Sequence, residues 1–84
     1  MKFQYTRHAE EILSERGIEK QKVEKLLEDP PQQREGKGEA KIAQGIFTRK
    51  DEKFLLRVVY KNKGHIITVI TAYWTSKIEK YWEG

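Results

Sequence analysis

The chain predicts an α+β domain: an N-terminal helical hairpin packed on a three- to four-stranded antiparallel sheet, with a short C-terminal helix. Three observations lead there. The apolar residues recur at helical spacing up to Leu27 and then switch to β-rich runs. Pro30 and Pro31 stand at the switch and end whatever helix precedes them. The later runs are separated by short, charged, turn-forming tetrapeptides.

"YTRHAEEILSERGI" is the first helix. Thr6 is a fitting N-cap, because its hydroxyl can accept from an unpaired N–H of the first turn. Ala9, Ile12 and Leu13 form the apolar stripe, and Gly17 with Ile18 fits a left-handed helix end and its apolar contact. "EKQKVEKLLEDPP" is the second helix, with Val23, Leu26 and Leu27 on one side. The connection is so short that a helical hairpin is expected. "QQREGKGEAK" reads as loop with room for a short edge strand. "AKIAQGIFTRK", "FLLRVVYKN" and "HIITVITAYW" then read as three antiparallel strands, joined by turns at "KDEK" and "KNKG". "TSKIEKYWEG" closes the chain with a short helix.

Taking "KNKG" as a type I turn with Gly64 as a bulge residue pairs Lys61 with His65. Arg57 then faces Val69, and Leu55 faces Thr71. Alternation puts Arg57, Thr71 and Tyr73 on one face and Phe54, Leu56, Val58, Ile66 and Ile70 on the other. The expected core is Ile12, Leu13, Val23, Leu26, Leu27, Leu56, Val58 and Ile70.

Composition narrows the chemistry. The chain has 84 residues, 37% apolar and 36% charged, with no cysteine, so disulfides and thiolate metal sites are excluded. One domain, residues 1–84, is expected. No apolar run approaches the ~20 residues of a membrane span, so a cytoplasmic protein without membrane contact is expected. Residues 1–30 hold six Lys/Arg against seven Asp/Glu, a net −1, whereas residues 31–84 hold eleven against six, a net +5. An excess of cations in one half favours a polyanionic partner, RNA first, although a merely solvated lysine surface is the competing reading. His8 and His65 lie far apart with no carboxylate pairing around either, so no metal or other cofactor is expected.

The residues left for chemistry are His8, Arg57, Thr71, Tyr73 and Lys77. They suit RNA cleavage without a metal, in which one group takes the 2′-OH proton, a cation stabilises the phosphorane and a donor assists the leaving 5′-oxygen. A helix start biases His8 towards neutral imidazole, as a base needs. Arg57 offers a fork for phosphate oxygens, and Tyr73 can donate a proton or stack on a base. Each has a plainer reading. His8 also flanks the apolar stripe, Thr71 is also an ordinary strand residue, and Tyr73, Trp74, Tyr81 and Trp82 also supply core volume. Arg16, Arg34, Lys37 and Lys77 are candidate RNA contacts or plain solvated charge. Arg57 within "LLRVV" is the least ordinary, since a strand-centre arginine among apolar neighbours needs water or an anion to face.

The order "YTRHA…RGI…VEKLL…P…LLRVVY…ITVITAY" resembles the family called domain of unknown function 4258, a group similar to RelE-type ribonuclease toxins within the wider barnase–colicin–RelE-like set. The resemblance implies a RelE-like fold. It also implies a metal-independent endoribonuclease acting as the toxin of a toxin–antitoxin pair, on free RNA or ribosome-bound mRNA, with an acidic antitoxin protein as partner. The implied site is His8, Arg57, Thr71 and Tyr73, with Arg16 matching the arginine before Gly-Ile. Ile12 stands where many relatives carry a polar residue, and the "TAYWTSKIEKYW" tail is longer than in the simplest members. The alternatives are a non-catalytic RNA-binding or protein-interaction module on the same fold, and an accessory protein whose basic face holds a partner's acidic tail.

Overall fold

The computed structural model describes residues Met1–Gly84. Eight elements follow in order: β1 (Lys2–Tyr5), α1 (Arg7–Arg16), α2 (Lys20–Glu28), β2 (Gln32–Glu35), β3 (Lys41–Arg49), β4 (Glu52–Lys63), β5 (Ile66–Thr75) and α3 (Ile78–Tyr81). The strands form one five-stranded sheet ordered β1-β5-β4-β3-β2. It is mixed, because β1 runs parallel to β5 while all other pairs are antiparallel.

The strand count is therefore five rather than three or four, and the extra edge strand is β1. Its Phe3 and Tyr5 do alternate with Lys2 and Gln4, but four residues are too few for a period-two signal to stand out. The edge strand allowed for in "QQRE" is β2.

α1 begins and ends as its sequence requires. Thr6 Oγ1 accepts from the Ala9 N–H at 3.0 Å. Gly17 sits at φ 64, and the N–H groups of Gly17 and Ile18 return to the carbonyls of Ser14 and Leu13, the paired bonds of a Schellman end. The expected helical hairpin is not confirmed by the packing. α1 lies against β5 and α2 against β3, so each helix is held chiefly by the sheet and not by the other.

The helices cover one face of the sheet. Ala9, Leu13, Ile18, Val23, Leu26 and Leu27 meet Ala43, Leu56, Val58, Tyr60, Ile67, Val69 and Ala72 in a single buried cluster. Burying its leucine, isoleucine and valine side chains contributes about 1.5–3 kcal/mol each. Two expected members are absent from it: Ile12 is only partly buried, and Ile70 lies outside the cluster.

Ile70 is displaced by a bulge. The β4–β5 turn is the two-residue Gly64–His65, with Gly64 at φ 61, the position that a type II′ turn reserves for glycine. Lys63 thus pairs with Ile66, not Lys61 with His65. Between Val59 and Tyr60 the register shifts, so that Val59 pairs with Thr71 while Tyr60 pairs with Val69, leaving Ile70 unpaired. One extra residue reverses the side-chain parity of the first half of β5. Ile67 and Val69 consequently face the helices, and Ile66 is exposed. Arg57 pairs with Tyr73 rather than Val69, and Leu55 with Thr75 rather than Thr71.

Candidate functional site

Alternation along β4 sends Leu56 and Val58 into the helix-side core and Arg57 to the opposite face. Arg57 is only 6% exposed there. Its Nε donates to Gln44 Oε1 at 3.0 Å and its Nη1 to the Tyr73 hydroxyl at 2.7 Å. No carboxylate compensates it: the ion pairs are Arg7–Glu11, Lys20–Glu10 and Arg34–Glu83. A buried, permanently charged guanidinium without a counter-charge is expensive, which makes Arg57 a functional-site candidate. Arg57 Nη2 has no hydrogen-bond partner, and no fully buried side-chain nitrogen or oxygen lacks one, so Nη2 keeps access to solvent.

Gln44 aligns with Arg57 across the β3–β4 pair and is fully buried. Its amide oxygen takes the Arg57 bond, and its amide nitrogen donates to Gln32 Oε1 at 2.8 Å and to the Tyr81 carbonyl at 2.9 Å. This converts three neighbouring strands into one polar layer: Gln32 on β2, Gln44 on β3, Arg57 on β4.

The segment after β5 crosses this layer. The Tyr81 ring lies 4.0 Å from the Arg57 guanidinium carbon, a cation–π contact. Arg34 Nη1 donates to the Tyr81 carbonyl at 2.8 Å, and Arg34 Nη2 pairs with Glu83 at 3.1 Å. Gln32 donates to the Glu83 carbonyl and accepts from the Glu83 N–H. α3 is a single turn with no buried residue.

Of the expected site residues, the fold brings Arg57, Tyr73 and Arg34 into this one network. Thr71 is on the same face, paired with Val59 and two residues from Tyr73, but its side chain makes no hydrogen bond. His8 is exposed at the second residue of α1, in the layer on the other side of the sheet. No hydrogen bond joins it to Arg57, Thr71 or Tyr73. Thr6 does anchor the helix start to β5, its N–H to the Val69 carbonyl at 3.0 Å and its hydroxyl to the Ile70 carbonyl at 3.2 Å, so His8 follows an anchored corner beside Thr71. Arg16 is exposed near the far end of α1, Lys37 in the β2–β3 connection and Lys77 before α3. None hydrogen-bonds or ion-pairs with the Arg57 network. Gln32, Gln44, Tyr81 and Glu83 were not singled out as site residues from sequence. Gln44 was detectable, since "IAQGIF" buries one polar residue in an apolar strand just as "LLRVV" does. A cleft of about 420 Å³ lined by Lys22, Lys25, Leu26, Pro31 and Phe47 lies on the helix side, away from Arg57. No helix is long and apolar enough to cross a membrane.

Fold and site together define a small α+β domain with a helix-covered core face and a polar face centred on a carboxylate-free arginine. Residues 5–74 match the family described as a domain of unknown function (DUF4258), and the chain belongs to that family. No curated protein and no solved structure matches the chain significantly.

Proposed function

We propose that this chain is a metal-independent endoribonuclease of the RelE-like kind, the toxin of a toxin–antitoxin pair. The observation that carries the reading is the buried Arg57 guanidinium, free of any carboxylate and bonded to the Tyr73 phenol at 2.7 Å, in a chain of net charge +4. In this reading Arg57 holds the non-bridging oxygens of the scissile phosphate and stabilises the charge that grows on them. A base takes the proton of the ribose 2′-hydroxyl, the 2′-oxygen bonds to phosphorus, and the bond from phosphorus to the 5′-oxygen breaks. The Tyr73 phenol protonates the departing 5′-oxygen, leaving a 2′,3′-cyclic phosphate. His8 is the candidate base, a role that requires its exposed side chain, at the corner that Thr6 anchors, to reach round the β5 edge to the ribose of the phosphate that Arg57 holds. An acidic antitoxin segment would cover the polar face and neutralise Arg57.

A second reading, a non-catalytic RNA-binding module on the same fold, draws support from the lack of contact between His8 and Arg57. Purified protein incubated with RNA in EDTA separates the two. The catalytic reading expects 2′,3′-cyclic ends, resistance of RNA carrying a 2′-deoxy substitution at the cut, and a loss of about 10²–10⁴-fold in rate for His8→Ala. Binding without cleavage, of free RNA and of ribosome-bound mRNA alike, leaves the binding module.

A further inference from the structure

The segment Lys77–Glu83 offers the polar face three things: the flat Tyr81 ring over the Arg57 guanidinium, the Tyr81 carbonyl oxygen, and the Glu83 carboxylate. The Tyr81 carbonyl receives two convergent donors, Arg34 Nη1 at 2.8 Å and Gln44 Nε2 at 2.9 Å. The Glu83 carboxylate occupies the other arm of Arg34 at 3.1 Å. A π-face stacked on a guanidinium, beside two sets of oxygen acceptors held by arginine, is the chemistry of one nucleotide: a base and its phosphate oxygens.

Resting on the RNA-directed reading above, we propose that this C-terminal strap is a built-in nucleotide mimic that occupies the RNA site, and that single-stranded RNA binds by displacing it. The strap's construction fits displacement. α3 is one turn with no buried residue, and apart from the Lys77 N–H to Thr75 Oγ1 at its root, the hydrogen bonds from strap to sheet run to Gln32, Arg34 and Gln44. Gln44, Arg57 and Tyr73 lie within the family match, which ends at residue 74, whereas the strap lies beyond it. With the strap out, Arg34, Gln44 and Arg57 present convergent donors on three adjacent strands, and the Tyr73 hydroxyl stays beside them. A competing strap lowers apparent affinity by the fraction of molecules in which the site is open.

The test uses the full-length chain and a fluorescent single-stranded RNA hexanucleotide bearing non-cleavable 2′-O-methyl groups. Tyr81→Ala combined with Glu83→Ala removes the mimic's ring and carboxylate and should tighten binding about tenfold, and Arg57→Ala in that background should abolish the gain. Hydrogen exchange of the wild-type chain provides the second readout: saturating RNA should speed exchange of the Ile78–Glu83 amides. RNA binding that leaves those amides unchanged, or a double variant that binds no tighter, overturns the strap proposal while leaving the RNA reading intact. Failure of both wild type and double variant to bind any RNA overturns both. Tighter binding by the double variant that survives Arg57→Ala places the RNA elsewhere and overturns the strap proposal.

Discussion

Gln44 shows how a single residue makes the buried arginine tolerable. It is fully buried, and its amide is the only group bonded to Arg57, to Gln32 and to the strap at once. Replacing it with leucine keeps the volume and removes every one of those bonds. Arg57 Nε would then be a buried donor on a charged group with no partner. Gln44→Leu should therefore destabilise the chain by about 1–3 kcal/mol, although it makes a strand residue more apolar. Urea unfolding of the two proteins checks this, and equal midpoints would mean that water reaches Arg57 Nε from within the sheet.

At the scale of elements, Tyr5 fastens β1 to α2. Its hydroxyl donates to the Glu24 carboxylate, and Lys20 lies 4.6 Å from its ring centre. Burial raises the Tyr5 phenol well above its ordinary value of 10.0, and the hydrogen bond and negative charge of Glu24 add to the rise. The folded state thus holds the proton more tightly than the unfolded chain. The resulting stability is fully present below the unfolded value and is lost as pH rises through the raised folded value. Tyr60 shifts in the same direction, through burial first and then Glu35, so part of the alkaline loss is not due to Tyr5. Stability measured from about pH 8 to 11 should fall more steeply for wild type than for Tyr5→Phe, which lacks the titrating phenol. Parallel curves would show that the Tyr5 phenol is neither buried nor bonded to Glu24 in solution.

The whole molecule carries its charge unevenly, net −1 over residues 1–30 and net +5 over the remainder, which forms most of the sheet and the strap. Affinity for single-stranded RNA should accordingly come mainly from phosphates. Contact with three or four of them predicts a log–log salt slope of about −2 to −3, and Arg57→Ala should flatten it by about 0.7. Fluorescence titration between about 50 and 200 mM salt measures both. A salt-independent affinity would locate binding in apolar contacts and remove Arg57 from it.

Much of this architecture follows from local rules. Helix α1 is bounded by a threonine cap and a left-handed glycine, α2 stops at two prolines, and β3, β4 and β5 are rich in β-branched and aromatic residues, all of which depend on residues close in sequence. The shared face of Arg57 and Tyr73 came out as expected only because the different turn and the bulge each shift the register by an odd number of residues and so cancel in parity. Their direct pairing was not legible. It depends on the two-residue turn at Gly64–His65 and on a bulge at Ile70, which together bring Ile67 and Val69 into the helix-side core, and no period-two pattern marks where a bulge falls. The parallel pairing of β1 with β5 joins residues more than sixty positions apart, and no local pattern encodes such a partner. Sequence alone determined that one arginine would stand among apolar strand residues in the basic half. Only the tertiary structure decided what that arginine meets, because Gln44, Tyr73 and Tyr81 reach it through strand pairing and chain reversal, and it left His8 on the other layer, without a contact to Arg57.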